Sequence, residues 1–239
     1  MKYIYGPLNS RRLGFSLGIT LTPAKICNLN CVYCQLGNTV QQSNERKEYI
    51  PVDGISGELK WWLENNPQDA KKIGYITISG SGEPTLNSKI GQLIEKIKNI
   101  TNLPVAVMTN SSLLGDSLVR RDILLADLII PSLDAATPEV FAKIDRPHPD
   151  LKLDEIINGL ISLRKESRGK IWLEVMLVKG INDDLRQIKK LKAVIEEINP
   201  DKIQLNSPVR STAEPDILPV DKNKLEKIKE ILGETCEII

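Results

Sequence analysis

The residues best suited to chemistry in this chain are three cysteines, Cys27, Cys31 and Cys34, which lie within eight positions of one another. Their spacing, C-x3-C-x2-C, lets one short loop wrap a metal centre with little loop-closure entropy to overcome. In a reducing compartment, clustered cysteines more often bind metal or do redox work than form disulfides. The cluster therefore predicts a metal or redox site.

The number of ligands narrows the kind of centre. A structural zinc ion takes four protein ligands, and His148, the single histidine, lies more than a hundred residues beyond Cys34. Three cysteines instead suit a 4Fe-4S cluster with one iron left open to a substrate. His148 is interpreted as a loop residue, and Cys236, near the end of the chain, as a buried apolar side chain.

The elements that must position this loop alternate between short β-branched runs and longer amphipathic stretches, which is typical of βαβ units. Six strands are predicted, at residues 16–21, 75–79, 105–109, 128–133, 171–178 and 202–205. Six helices are predicted, at residues 52–65, 89–99, 117–125, 153–166, 184–198 and 222–232. The cysteine loop directly follows the first of these strands, where active-site loops of β/α barrels lie.

Polar residues recur at alternate positions in these strands, as at Thr20, Thr77, Ser132, Glu174 and Gln204. Parallel strands covered by helices on both faces read instead as continuous apolar runs. The polar set is interpreted as the wall of a central cavity, with solvated strand ends as the alternative. The predicted fold is an α/β partial (β/α)6 TIM-like barrel of parallel strands with outer helices.

The composition and the apolar pattern limit the expected partners, location and number of domains. Lys and Arg number 32 against 31 Asp and Glu, so the net charge of +1 supplies no overall field for nucleic acid or acidic membranes. No signal peptide and no membrane-spanning run is evident, so a cytoplasmic location is expected. One domain is predicted over residues 1–239, with a core at about 14–210 and a C-terminal helix and tail at 221–239.

The cysteine spacing, with Tyr33 just before the last cysteine, resembles the signature of the radical S-adenosylmethionine (radical SAM) enzymes. A second segment, Ser81-Gly82-Glu83-Pro84, is similar to the Gly-Gly-Glu-Pro segment of that family. The resemblance implies that Cys27, Cys31 and Cys34 hold the cluster, and that main-chain groups at Gly82 and Glu83 receive the amino group of S-adenosylmethionine.

Further strand ends resemble the same family, in Met108-Thr109-Asn110, Ser132-Leu133-Asp134 and the run at residues 178–183. The resemblance implies cofactor contacts at Tyr33, Asn110, Ser132, Asp134, Arg146, Asn182 and Arg210. Asn110, Ser132 and Asp134 are expected at the ribose, Asn182 beside the adenine, and Arg146 or Arg210 at the methionine carboxylate. The alternative for each arginine is a surface ion pair, and Glu174 is expected to point inward.

The N-terminal segment at residues 6–19, Gly-Pro-x-x-Ser-Arg-Arg-Leu-Gly-x-Ser-Leu-Gly-Ile, is similar to a small branch of the family related to the tRNA wyosine-base synthases. Those synthases carry a second cluster on further N-terminal cysteines, and this sequence has none there. Arg11 and Arg12 either bind a substrate anion at the cavity mouth or cap the barrel through ion pairs. Trp61 and Trp62 are expected to be half core and half surface.

The resemblance implies reductive cleavage of S-adenosylmethionine to methionine and a 5'-deoxyadenosyl radical, which abstracts hydrogen from a substrate that no motif identifies. The expected partners are a low-potential electron donor such as flavodoxin or ferredoxin and an unidentified substrate, for which a protein and an RNA are the candidates. No membrane partner is expected. The alternatives are a glycyl-radical-enzyme activase, an RNA-modifying radical SAM enzyme, a non-catalytic electron-transfer module and a zinc-binding interaction module.

Overall fold

Ten strands and eight α-helices occur in the computed structural model, which describes residues 1–39 and 41–239. The strands are β1 (Ile4–Ser10), β2 (Gly14–Thr20), β3 (Ile26–Cys27), β4 (Gln41–Gln42), β5 (Tyr75–Ser79), β6 (Val105–Thr109), β7 (Leu128–Pro131), β8 (Lys170–Met176), β9 (Lys202–Asn206) and β10 (Cys236–Ile238). The helices are α1 (Val52–Asn65), α2 (Pro67–Ala70), α3 (Ile90–Ile100), α4 (Ser117–Ile123), α5 (Pro138–Ile144), α6 (Leu153–Glu166), α7 (Leu185–Ile198) and α8 (Lys222–Leu232). A 3-10 helix, Pro84–Leu86, follows β5.

Eight strands form one open sheet in the order β1-β2-β5-β6-β7-β8-β9-β10. The six strands from β2 to β9 run parallel, and they are the six predicted. The count of six was incomplete, because β1 pairs antiparallel with β2 at one edge and β10 pairs parallel with β9 at the other. Gly6 and Pro7 break the strand pattern in β1, and β10 has only three residues, so neither gives a strong strand signal.

The sheet is strongly curved, as contacts of the turn between β1 and β2 demonstrate. Arg12 in this turn pairs with Glu174 on β8, which lies four strands away from β2. In a flat sheet those strands would be about 19 Å apart, whereas an arginine side chain reaches roughly 7 Å. The sheet therefore bends round so that the hairpin turn reaches across its concave face, which confirms the partial-barrel prediction.

The two faces of the sheet differ in chemistry. Alternate residues such as Leu17, Ile76 and Val107 belong to the large hydrophobic core shared with the helices. The concave face carries a small separate apolar cluster in which Leu13 of the hairpin turn packs on three strand residues, Ala106, Leu128 and Ile130. The other concave-face side chains are mostly polar, as predicted: Thr20, Thr77, Ser79, Ser132, Glu174, Gln204 and Asn206.

The helix ends follow ordinary capping rules. The Asp184 carboxylate accepts hydrogen bonds from the main-chain N–H groups of Arg186 and Gln187 at 2.9 and 3.1 Å, so α7 begins there. Asn199 ends the helix in the left-handed region at φ 52°, directly before Pro200. The predicted span 184–198 is one residue longer, whereas α5 was missed, since a seven-residue helix offers too little periodicity.

Several single residues lie where the sequence predicts them. Trp62 is buried in the core while Trp61 is 55% exposed, so the pair divides as expected. His148 lies in a loop, where its Nδ1 is 3.0 Å from Asn44 Nδ2. Cys236 is buried, as an apolar side chain would be. Within residues 1–39 and 41–239, no helix has both the length and the apolar character needed to cross a membrane.

Candidate metal and cofactor site

The three clustered cysteines lie on a loop beyond the C-terminal end of β2. Short parallel pairing of β3 with β4 opens the loop, and the N–H of Cys34 donates to the carbonyl of Cys31 at 3.1 Å. All three cysteines are half-buried. Cys236, far along the sequence, is buried. The loop thus presents three free thiols at the end of the sheet where β/α barrels bind their ligands.

The arrangement of the sulfurs tests which metal centre fits. In the part of the chain that the structure describes, no three His, Cys, Asp or Glu side chains converge tightly enough to hold a single ion. Structural zinc takes four ligands, whereas this loop supplies the three thiols of Cys27, Cys31 and Cys34. A multi-iron cluster takes one thiolate on each of several irons, and three separate soft donors on one loop fit that requirement.

Each sulfur has a polar side chain beside it. Lys25 Nζ lies 3.0 Å from Cys34 Sγ, Asn110 Nδ2 lies 3.5 Å from Cys27 Sγ, and Cys31 Sγ lies 3.3 Å from an oxygen of Asp145. Two of these neighbours donate toward sulfur and one accepts from it. The two hydrogen bonds donated to sulfur, from Lys25 and Asn110, are of the kind that orient metal-binding sulfurs and adjust their electron density. The Cys31 thiol donates to Asp145 only while it keeps its proton.

Burial and nearby carboxyl groups raise the pKa of two of the thiols. Burial, reinforced by the charge of Glu83, raises the pKa of Cys27 to about 12, and the Lys25 charge opposes this shift. Burial and the Asp145 carboxylate raise the pKa of Cys31 well above its ordinary value. Because thiolates are the metal ligands, binding of a metal centre here must release protons.

Four of the predicted cofactor residues line one small cavity beside Cys31. They are Tyr33, Asn110, Ser132 and Asp134, and the cavity is about 20 Å³, room for roughly one water molecule. The Tyr33 hydroxyl donates to one Asp134 oxygen, and the other oxygen accepts from Met176 N at 2.7 Å. Both Asp134 oxygens are therefore engaged within the chain.

Asp145 completes this buried group. It lines the same cavity, and burial raises the pKa of its carboxyl to about 7, although the contact with Cys31 opposes the shift. Burial and the Asp145 charge likewise raise the pKa of Asp134 well above its usual range. Burial of both carboxyls therefore favours their protonated forms.

Gly82 brings the loop after β5 against the first cysteine segment. A Cβ atom on Gly82 would lie 1.8 Å from the carbonyl oxygen of Ile26, so only glycine fits. The next residue continues the contact, because Glu83 N donates to the same oxygen at 3.2 Å. The Gly82–Glu83 main chain therefore lies directly beside Cys27, as a shared ligand site requires.

The Glu83 side chain has a second role that sequence reasoning did not identify. Its carboxylate is buried and accepts from Thr85 N, Thr109 Oγ1 and Asn110 N at 3.0, 2.7 and 2.7 Å. It thereby joins the strand ends of β5 and β6. Burial raises the pKa of Glu83, and these hydrogen bonds oppose that shift.

Asn110 links β6 to the cysteine loop. Its Nδ2 donates to Asn28 Oδ1 at 2.9 Å as well as to Cys27 Sγ, and its Oδ1 accepts from Ser112 N at 3.0 Å. Asn28 itself is fully buried, with its Nδ2 unpartnered among the described residues. The contact with Asn28 thus brings Asn110 to the candidate metal site. Asn28 is a residue that sequence analysis did not identify.

The two predicted arginines lie apart from the residues that line the small cavity. Arg210 is exposed and donates to Gln35 Oε1 at 3.0 Å, directly after Cys34. The Arg146 side chain forms an ion pair with Glu214, so only its main chain, which accepts from Gln42 Nε2 at 2.7 Å, contacts the segment that follows the cysteines.

Asn182 is buried, and all its side-chain polar atoms are used inside the chain. It accepts from Val178 N at 2.8 Å and donates to the carbonyls of Asp134 and Met176 at 2.9 and 2.8 Å. The side chain therefore clamps the loop after β8 to the end of β7. Its place beside an adenine stays a prediction.

Three site residues were missed by sequence reasoning: Lys25, Asn28 and Asp145. Lys25 and Asn28 flank Cys27, so proximity in sequence was an available signal. Asp145 follows α5, which was itself missed, and no local pattern marks it. Only the tertiary fold places its carboxylate against Cys31.

Comparison with known proteins gives a consistent result. The family model described as the radical SAM superfamily matches residues 21–191. UPF0026 protein MJ1312 from Methanocaldococcus jannaschii is 38% identical over 241 residues, covering 100% of this chain and 73% of that protein. A protein of Brachyspira hyodysenteriae named GTPase Obg is 42% identical over 237 residues, 99% of this chain but 34% of the relative. The chain thus spans about a third of that relative's length.

Among solved structures, TYW1 with a lysine-pyruvate adduct bound has a similar fold, with a TM-score of 0.65 at 21% identity. The match covers 91% of this chain and 72% of that one. At this identity the likeness concerns the fold. It agrees with the predicted relation to the wyosine-base synthases.

Proposed function

Because this chain belongs to the radical SAM superfamily, we propose that Cys27, Cys31 and Cys34 hold a 4Fe-4S cluster and that S-adenosylmethionine binds beside it. One observation carries the proposal. Asn110 donates to Cys27 Sγ and to Asn28, and it lines the same small cavity as Tyr33. The cysteines and the predicted nucleoside-binding residues are therefore parts of one site. When bound, such a cluster supplies one electron that splits S-adenosylmethionine into methionine and a 5'-deoxyadenosyl radical, which takes a hydrogen atom from the substrate.

The chain's own residues bind and orient the cofactor in this proposal. Gly82 allows the main chain to approach within contact of the cysteine segment, where the amino group is to be received. Arg210, beside Gln35, is the better placed arginine for the methionine carboxylate, since Arg146 already pairs with Glu214. Asn110 and Ser132 are assigned to the ribose because they line the same small cavity, and Asp134 orients Tyr33 by accepting a hydrogen bond from its hydroxyl.

The concave face below this site is proposed to receive the substrate. Its upper wall has partly exposed side chains from four neighbouring strands or their ends, Ser79, Met108, Ser132 and Met176. Leu13 covers the same face nearer the strand starts, and the Arg12–Glu174 pair crosses it at the level of Ser132, which pairs with Glu174. A substrate is thus held between the cysteine loop and the hairpin turn, close to the cofactor and shielded from bulk water.

The decisive experiment is anaerobic reconstitution with iron and sulfide, followed by dithionite and S-adenosylmethionine, with 5'-deoxyadenosine measured by chromatography. We expect product from the wild type and from Cys236→Ala, whose sulfur is remote from the loop, and none above background from Cys31→Ala. Equal product from the wild type and Cys31→Ala would refute the proposal. A reducible cluster with no cleavage in the wild type would favour the electron-transfer alternative instead.

A reductant of low potential is part of the proposal, and flavodoxin or ferredoxin supplies the class to test. Reconstituted protein is mixed with reduced flavodoxin in place of dithionite, and 5'-deoxyadenosine is again measured. Product that depends on both flavodoxin and S-adenosylmethionine is expected. Product with dithionite but none with reduced flavodoxin would show that the physiological donor belongs to another class.

A further inference from the structure

Lys25 is a buried cation without a carboxylate partner. The residue is only 8% exposed. In residues 1–39 and 41–239, no Asp or Glu oxygen lies within 4.0 Å of the Lys25 Nζ atom. Its polar contacts are Cys34 Sγ at 3.0 Å and Thr39 Oγ1 at 3.4 Å. A lysine this buried normally pairs with an anion, so the missing anion is expected at the cysteine sulfurs.

The main chain holds Lys25 in this position. Its φ of 59° lies in the left-handed region, which is unfavourable for a residue other than glycine and needs support from surrounding contacts. That support includes a hydrogen bond from Lys25 N to the carbonyl of Ser81 at 2.7 Å, and Ser81 N in turn donates to Thr20 Oγ1. The Lys25 main chain is thus held by the same loop that carries Gly82, while its ammonium contacts Cys34.

Acidic side chains lie near the other two sulfurs. Asp145 Oδ1 lies 3.3 Å from Cys31 Sγ, and the buried Glu83 side chain belongs to the loop that contacts the Cys27 segment. Lys25 is the cation in direct contact with a sulfur of this group, at 3.0 Å from Cys34 Sγ. A group that gains an electron at this point gains negative charge among carboxylates, with Lys25 as the nearby cation that offsets it.

We propose that Lys25 is the counter-cation of the cysteine-bound cluster and raises its reduction potential through the contact with Cys34. This inference rests on the proposed function. In the step concerned, one electron passes from an external low-potential donor to the cluster, no bond is broken, and no proton is transferred. A fixed cation and a hydrogen bond at sulfur stabilise the reduced form more than the oxidised form.

The test is a redox titration of the reconstituted protein without S-adenosylmethionine, followed by electron paramagnetic resonance, in Lys25→Met and Lys25→Arg. At the potential that half-reduces the wild type, Lys25→Met is expected to show a reduced-to-oxidised ratio about tenfold lower, a shift of about 59 mV for one electron. Lys25→Arg keeps the charge and is expected to stay close to the wild type. Lys227→Met, an exposed position on α8, is the matched control.

An unchanged potential in the loaded fraction of Lys25→Met overturns the inference, whether or not its iron content falls, because lost iron alone indicates a structural role. Where Lys25→Met loads too little cluster to titrate, Lys25→Gln supplies the measurement with a polar neutral side chain. Failure of the wild type to assemble a cluster contradicts the proposed function itself, and the role of Lys25 with it. Iron and sulfide analysis of each variant separates these results.

Discussion

Arg12 and Glu174 are joined by a two-pronged ion pair across the concave face of the sheet. Arg12 Nε lies 2.9 Å from one carboxylate oxygen, and an end nitrogen of the guanidinium contacts the other. The Glu174 side chain is 8% exposed, and Asn206 Nδ2 donates to it at 3.0 Å. The pair therefore fastens the β1–β2 turn to β8 and helps to hold the sheet in its curved form.

Removing Arg12 leaves the buried Glu174 carboxylate with one hydrogen-bond donor and without its ion-pair partner. Arg12→Leu is therefore expected to lower the free energy of unfolding by about 3–5 kcal/mol, measured by urea denaturation. Combining it with Glu174→Met should restore part of the loss, because the unpaired charge is gone, although Asn206 then lacks its acceptor. Wild-type stability in Arg12→Leu alone would contradict this account of the pair.

A surface pair provides the control for Arg12. Lys72 contacts Asp69 at 2.8 Å, but their side chains are 63% and 46% exposed. Lys72→Ala is expected to cost at most about 1 kcal/mol in the same assay, since solvent screens exposed pairs. A comparable loss in both variants would mean that burial does not set the strength of the Arg12 contact.

The sequence predicts the parallel core of this fold well because the signals there are local. Apolar runs of strand length and helices with proper caps, such as α7, follow from side-chain periodicity and from Asp184 and Asn199. The antiparallel edge strand β1 lacks that signal, since Gly6 and Pro7 interrupt it. It is a strand because β2 offers it an open edge, which is tertiary information.

The candidate site divides in the same way. Cysteine spacing and strand-end motifs identify Cys27, Gly82 and Asn110, since each stands in a recognisable segment. The contacts of Lys25 with Cys34 and of Asp145 with Cys31 depend on how separate segments meet. No spacing in the sequence encodes the 114 positions between Cys31 and Asp145.

Gly82→Ala should separate the Gly82 loop from the cysteine segment. The new Cβ would lie 1.8 Å from the Ile26 carbonyl oxygen, so the main chain must move. We expect a loss of about 1–3 kcal/mol in stability and a lower iron content after reconstitution. Gly57→Ala, in the exposed middle of α1 with nothing within 4 Å of its Cβ, should instead gain about 1 kcal/mol. Equal effects of the two alanines would contradict the close-approach role of Gly82.

Glu83→Gln should disturb the link between β5 and β6 without changing side-chain size. A glutamine amide offers one acceptor oxygen, whereas Glu83 uses both of its oxygens to receive Thr85, Thr109 and Asn110. One buried donor then faces an NH2 group, which should cost about 1–3 kcal/mol and shift Asn110. S-adenosylmethionine affinity, measured by equilibrium dialysis on reconstituted protein, should fall, while Glu95→Gln on the exposed side of α3 leaves it unchanged. Unaltered affinity in Glu83→Gln would remove Glu83 from the positioning of Asn110.

Asp127 should make a pH-dependent contribution to stability at the start of β7. Burial acts to raise its pKa, but hydrogen bonds from Val105 N at 2.8 Å and Lys98 Nζ at 2.9 Å outweigh this and lower it below the ordinary 3.8. A carboxyl with a lowered folded-state pKa stabilises the fold above its unfolded pKa and loses that effect as the pH falls through the folded-state value. Asp127→Asn should therefore cost about 0.5–1.5 kcal/mol near neutral pH, with the difference from wild type shrinking below pH 3.8. Urea denaturation across this range measures it, and a difference that grows toward acid would show that the charge of Asp127 is not what stabilises the contact.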